Sequence, residues 1–143
     1  MYRATGAVMF TPWMLTSLAE AHAGLGQPVE GLNCLAEAAQ IIESTDERIA
    51  ETDVYRLRGD LLNATGDQAA AEGSYHQAVA VARRQSAKLF ELRAATSLAR
   101  LWLHQGKPQQ ARELLAPIYG RFTEGFDTLD LKEAKALLEQ LKA

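Results

Sequence analysis

One cysteine, Cys34, is all the chain has, so no disulfide can form within it, and the lone thiol fits a reducing compartment. Uninterrupted apolar runs last only a few residues, far short of the roughly 20 needed to span a bilayer, so no membrane partner is expected. The N-terminal stretch lacks the order of charged, apolar and small residues that marks a secretory leader, and the expected location is cytoplasmic. Charge of either sign is scarce as an excess. The net value is -3, spread along the chain, with neither the basic footprint of a nucleic-acid binder nor an acidic tail, so no nucleic-acid partner is expected. Prolines number four and aromatics make up 7%. β-branched residues are sparse, and no stretch alternates in the manner of a half-buried strand.

Alanine and leucine dominate instead. Strings such as Leu35-Ala36-Glu37-Ala38-Ala39 and Ala134-Lys135-Ala136-Leu137-Leu138 are strong helix formers. With 143 residues, 48% of them hydrophobic, the chain can bury the core of one all-α domain over residues 1–143.

Three glycines, Gly26, Gly66 and Gly106, stand 40 residues apart, and their surroundings repeat with them. Seven residues before each lie Ala19, Gly59 and Ala99; five after lie Gly31, Ala71 and Ala111. These positions are small. Large residues fill others: Leu35, Tyr75 and Leu115 nine after, and His22, Leu62 and Trp102 four before. A glycine can end a helix in the left-handed conformation without a Cβ clash, and Pro28 and Pro108 suit the first turn of the helix that follows. Small residues on both sides let two helices cross closely while the large ones fill the gap. The unit is a helical hairpin, repeated three times over about 11–43, 47–85 and 88–122, with a capping helix at about 128–142. Seven helices are expected, at 11–25, 28–43, 47–65, 68–85, 88–105, 108–122 and 128–142. Thr11, Asp67 and Thr128 are candidate N-caps, and Pro117 falls inside the sixth helix.

The spacing assigns buried stripes. Leu15, Leu18, Ala19, His22 and Leu25 share a face of the first helix, and Leu32, Leu35, Ala36, Ala39 and Ile42 share one of the second. Ala50, Val54, Leu57 and Leu61 then face Ala71, Tyr75, Ala78 and Ala82; Leu92, Ala95, Leu98, Ala99 and Trp102 face Ala111, Leu114, Leu115, Ile118 and Phe122.

A small residue in each helix of a hairpin, with an aromatic or leucine four residues on, resembles the signature of the tetratricopeptide repeat family. Its usual unit is about 34 residues; the 40-residue unit here looks like a longer-helix variety. The resemblance covers residues 11–125 and implies an α-α superhelix, or solenoid. It also implies a non-catalytic scaffold or regulatory role in binding a protein or peptide segment. A narrower resemblance is carried by Leu57-Arg58-Gly59-Asp60-Leu61-Leu62, by Leu92-Arg93-Ala94-Ala95-Thr96-Ser97-Leu98-Ala99-Arg100-Leu101-Trp102, and by the stretch from Leu115 to Thr128. These look like the C-terminal helical tails of bacterial signalling proteins that join a class III adenylate or guanylate cyclase to an ATPase domain. That likeness implies a signalling context and a fragment origin, and transfers no catalytic residue.

Residues arranged for chemistry are few. No phosphate-binding glycine loop is present, and Gly24-Leu25-Gly26 is a helix end. His22 is expected in the core. Glu72 and His76 stand one turn apart without a third metal ligand on their helix. Cys34 reads as a small packing residue. Arg83, Arg84 and Lys88 read as a solvated basic cluster, and Asp46 and Glu47 as charges favouring a helix N-terminus. No enzymatic activity, cofactor or metal is expected.

In the architecture that the resemblance implies, partners bind on the concave face lined by the first helix of each pair. The polar face of those helices offers Thr16, Glu20 and Ala23; then Arg56, Asp60 and Asn63; then Arg93, Thr96, Arg100 and Leu103. Arg93 and Arg100 lie two turns apart with no acid four residues from either on their own helix, which makes an acidic peptide the ligand to test; a small-molecule sensor is the other reading of such a groove. At the N-terminal end Val8, Met9, Phe10, Trp13 and Met14 gather an apolar surface that the first hairpin has no neighbour to cover. Residues 1–14 are therefore expected either to pack against a preceding repeat or to bury themselves in a homodimer, with Met9, Phe10, Trp13 and Met14 as the candidates for self-association; the alternative is that residues 1–10 fold back over the first hairpin. At the other end Lys132, Lys135, Glu139 and Lys142 are expected to face water.

Overall fold

A computed structural model describes residues 12–45, 48 and 50–142. Among these residues seven helices follow in order: α1 (Pro12–Gly24), α2 (Pro28–Thr45), α3 (Glu51–Ala64), α4 (Gln68–Arg84), α5 (Lys88–His104), α6 (Pro108–Tyr119) and α7 (Leu129–Leu141). No strand occurs among the described residues. Each of α1–α2, α3–α4 and α5–α6 is a hairpin. The first helices pack in a row, α1 on α3, α3 on α5 and α5 on α7, while α2, α4 and α6 each wedge against the next first helix. Among the described residues α2 and α4 do not meet, nor do α4 and α6. The first helices thus form one continuous inner layer and the second helices a spaced outer one.

The glycines do what their spacing predicts. Gly26, Gly66 and Gly106 have φ of +72°, +92° and +76°. The residue after each donates its N–H back across the turn: Gln27 to His22 O (2.8 Å), Asp67 to Leu62 O (3.0 Å) and Lys107 to Trp102 O (2.8 Å). This closes the last turn of the helix and satisfies carbonyls that would otherwise lack partners. The turn between the second and third hairpins has the same form, with Ala87 N–H on Ala82 O (2.9 Å), but its left-handed residue is Ser86, at φ 54°.

Close crossings explain the small positions. A Cβ on Gly59 would stand 2.5–2.9 Å from three carbons of the Tyr75 ring, and one on Gly31 would stand 2.9 Å from Leu61 Cδ1 and 3.2 Å from Ala19 O. Ala19, Ala71, Ala78, Ala99 and Ala111 have no exposed surface at all. At the N-cap of α4, the Asp67 carboxylate accepts the Ala70 N–H at 3.1 Å. Thr128 precedes α7 but does not cap it with its side chain; its hydroxyl donates to Gly125 O at 2.7 Å. α3 starts at Glu51, with Glu51 and Asp53 in its first turn, while Thr11, Asp46 and Glu47 lie outside the described residues. α6 stops two residues after Pro117, and Phe122 packs against the core from the segment beyond the helix.

The expected stripes hold in the middle of the molecule and fail at its N-terminal end. In α1 only Pro12, Leu15, Thr16 and Ala19 are buried; Leu18 is 40% exposed and Leu25 72%. In α2, Ala36 and Ala39 are exposed. The period locates the apolar face, but Leu18 and Leu25 would need one more packed layer, and none of the described elements lies over them, while Ala36 and Ala39 line an open cleft beside α3. His22 is not in the core either: it is half-buried at the hairpin turn, with Nδ1 2.8 Å from the Gln27 side-chain oxygen.

α7 packs on α5 and α6 as α5 packs on α3 and α4. It therefore stands as the first helix of a fourth unit. Leu131, Ala134, Leu137 and Leu141 are buried, and an Arg112 guanidinium N–H donates to Leu141 O. Where α5 offers Ala95, Ala99 and Trp102 to its partner helix, the residues 40 positions on are Lys135, Glu139 and Lys142, all exposed. These charges close the apolar column.

Candidate functional site

The inner layer curves around a cavity of about 470 Å³, lined by Glu20 from α1, Asp53, Arg56 and Asp60 from α3, Arg93, Thr96, Ser97 and Arg100 from α5, and Leu129, Asp130 and Glu133 from α7. The residues repeat in register. Asp53, Arg93 and Glu133 occupy one level, and Glu20, Asp60 and Arg100 another, because a 40-residue unit brings the same helical face round to the same groove.

The charges pair across helices. Arg93 reaches in both directions: Nη1 is 3.1 Å from Asp53 Oδ2, while Nη2 and Nε lie 2.9 Å and 3.2 Å from the two oxygens of Asp130. The hydrogen bond to Asp130 is the main reason that its pKa is raised above the ordinary arginine value. The guanidinium also lies 5.3 Å from the centre of the Phe90 ring, within cation–π range. Arg56 donates Nε–H to Asp53 Oδ1 at 3.2 Å and lies 3.5 Å from Asp60 Oδ2. Tyr75 donates its hydroxyl to Asp60 Oδ1 at 2.5 Å. Burial pushes the Asp60 carboxyl up, against the lowering effect of the Tyr75 bond and of Arg56 and Arg100. Tyr75 is pushed up as well, by burial first and by the Asp60 charge second. Arg100 stands 3.6 Å from Glu133.

Of the expected groove residues, Glu20, Arg56, Asp60, Arg93, Thr96 and Arg100 share this cavity. Asn63 lines a smaller adjoining cleft of about 120 Å³ with Asp60, Tyr75 and Arg100. Leu103 packs half-buried on the core instead. Thr16 is buried, its hydroxyl bonded to Trp13 O at 2.8 Å; Thr96 is buried too, bonded to Leu92 O at 2.7 Å. Ala23 is exposed and outside the lining. Sequence reasoning missed Asp53, Asp130 and Glu133. The register carried the signal for Asp53 and Glu133, since both are 40 residues from Arg93.

Trp13 and Met14 are both exposed, on different faces of α1. Trp13 shares the level of Asp53 and Arg93, and its ring lies 6.3 Å from that of Phe90 on α5. It belongs to the rim of the groove. Met14, Leu18, Leu25 and Val29 are exposed on α1 and α2; Met9 and Phe10 lie outside the described residues.

The remaining candidates have structural occupations. Arg83, Arg84 and Lys88 are exposed, as expected, but Arg83 is also paired: its Nε–H donates to Glu91 at 2.7 Å, and Arg121 approaches the other oxygen of this buried carboxylate at 3.4 Å. Glu72 accepts the Trp102 indole N–H at 3.1 Å and stands 3.9 Å from His76. No group of three metal-ligand side chains gathers among the described residues. Cys34 packs half-buried beside the Leu15–Leu61 core, and burial, then the Glu37 charge, raises its pKa. None of the helices is long and apolar enough to cross a membrane, among the described residues.

Compared with known proteins, the chain matches a family model described as tetratricopeptide repeat over residues 10–84, slightly more than half its length and covering α1 to α4. No curated protein and no solved structure matches it.

Proposed function

Given that the chain belongs to the tetratricopeptide repeat family, whose repeats generally act as protein–protein interaction modules, we propose that it is a non-catalytic scaffold whose inner groove holds a basic, extended segment of another protein. One observation carries the choice of sign. The cavity is lined by five carboxylates (Glu20, Asp53, Asp60, Asp130, Glu133) and three arginines (Arg56, Arg93, Arg100). All three arginines already face carboxylates within the groove. An acidic ligand would have to compete with those carboxylates for the arginines, while lysine or arginine side chains meet a lining with two more carboxylates than guanidiniums. Glu20 and Glu133 are exposed, and they are the residues we assign to first contact.

Fluorescence anisotropy with a labelled lysine-rich ten-residue peptide and its glutamate-rich counterpart tests this. The lysine-rich peptide should bind, weaken several-fold between low and high salt, and weaken again in the Glu20→Gln, Glu133→Gln double variant. Preference for the glutamate-rich peptide would reverse the assignment. We place this binding in a bacterial cytoplasmic signalling setting on the strength of the likeness to cyclase-associated helical tails. The exposed apolar row Leu18, Leu25 and Val29 favours a second contact, between the N-terminal faces of two copies. Light scattering across a concentration series, with Leu18→Glu as the control, reads it.

A further inference from the structure

On the side of α3 turned away from the groove lies a second cleft, of about 340 Å³, between α2 and α3. Leu32, Leu35 and Ala36 from α2 and Val54, Tyr55 and Leu62 from α3 make it predominantly apolar. Among the described residues the backbones of α2 and α4 stay apart, and neither covers this part of α3.

The molecule itself shows what fits such a place. Forty residues on, between α4 and α5, the positions of Leu32, Ala36 and Leu62 are taken by Glu72, His76 and Trp102. There the indole of Trp102 lies 5.7 Å from the His76 ring, centre to centre, and donates its N–H to Glu72 at 3.1 Å. The rings of His76 and Trp102 have no counterpart at those positions here; Tyr55 brings one ring where the next unit has Ala95, and the cleft still stays open between mostly apolar walls. We propose that this cleft is a docking site for a tryptophan side chain carried by a partner protein. Asn33, exposed on the lip of the cleft one position beyond the counterpart of Glu72, supplies an amide oxygen for the indole N–H, in the part that the Glu72 carboxylate plays in the neighbouring unit. Arg58, exposed on the opposite lip, selects segments with an acidic residue near the tryptophan. The site does not depend on the charged groove, which occupies the opposite face of α3.

The test uses the full chain with labelled methyl groups, followed by NMR. N-acetyl-tryptophanamide should shift the methyl signals of Leu32, Ala36 and Leu62 saturably and leave Leu138 of α7 unmoved. A sixteen-residue peptide with one tryptophan and a nearby glutamate should bind at least tenfold tighter than the amide, and its tryptophan-to-alanine version should lose that gain. Ala36→His with Leu62→Trp copies the filling of the neighbouring unit and should lower the affinity for both probes at least tenfold. Should that pair fail to fold, Ala36→Phe alone, checked by circular dichroism, blocks the same space. Absence of shifts in the native protein, or equal binding to the native and the folded filled variants, overturns the site. Equal affinity for amide and peptide overturns the protein partner in favour of a free indole compound.

Discussion

Gly59 stands opposite Tyr75 in the second hairpin, and the corresponding positions of the third hold Ala99 and Leu115. The difference shows that the repeat conserves the volume of a pair and leaves each member free to vary. Where the outer helix brings a ring, the inner helix gives up its side chain altogether, to the point that a single Cβ would stand 2.5 Å from that ring. The exchange also gives the second hairpin something the third lacks. The Tyr75 hydroxyl reaches through the crossing to Asp60 on the groove side, so the packing of the core and the charge of the groove are joined at one residue.

That comparison breaks most sharply at Gly59. Gly59→Leu should destabilise the protein by about 3 kcal/mol or more through overpacking at a crossing that has no room, read as a large drop in the thermal midpoint. The milder Gly59→Ala should cost less, and adding Tyr75→Leu, which installs the pair of the third hairpin, should recover most of that loss. A double variant no more stable than Gly59→Ala would mean that the two positions do not compensate.

Next in size is the link between the hairpins. Arg93 joins α3 to α7 through Asp53 and Asp130, with Asp53 nearly buried. Arg93→Ala should cost about 2–3 kcal/mol, less than for a fully buried pair because the guanidinium is partly exposed. Chemical denaturation measures it. Arg93→Lys should recover only part, since one ammonium cannot reproduce the two-way fork. No change in either variant would mean that the three helices are held by apolar packing alone.

The smallest effect sharpens the comparison at the turn between the two hairpins. Ser86 adopts the backbone form that Gly66 and Gly106 adopt on either side of it. Ser86→Gly should therefore stabilise by about 0.5–1 kcal/mol, because a left-handed conformation costs a residue with a Cβ roughly that much or more. A thermal midpoint unchanged or lowered would show that the serine side chain compensates for its backbone.

The hairpins were legible in the sequence because their determinants are local. A glycine that must turn left-handed and a small residue that must lie under a ring leave marks at fixed spacing, and both kinds repeat. Burial at the N-terminal end was not legible. Leu18 and Leu25 have the spacing of core residues, but spacing fixes only which way a side chain faces; whether anything lies there is a tertiary fact. The groove was half legible. Its arginines stood out because no acid neighbours them on their own helix, and this suggested an acidic ligand. The acids come from other helices: Asp53 and Glu133 at the level of Arg93, one unit away on either side, and Asp130 from the position where α5 carries Phe90. Reading down the repeat as well as along it would have found the first two. Asp130 breaks the register, and only the packing of α7 on α5 reveals it.

The charges on the outer face of α7 bear on how copies can associate. A solenoid with two matching apolar ends can stack head to tail, and because each addition recreates the same free end, such growth produces an open filament. Here one end exposes Leu18 and Leu25, while the other presents Lys135, Glu139 and Lys142. Every head-to-tail junction would have to strip water from those charges against a hydrocarbon surface that offers them no partners. Two N-terminal faces meeting would instead bring apolar side chains together and leave no matching free end to extend, so association of that kind would stop at pairs.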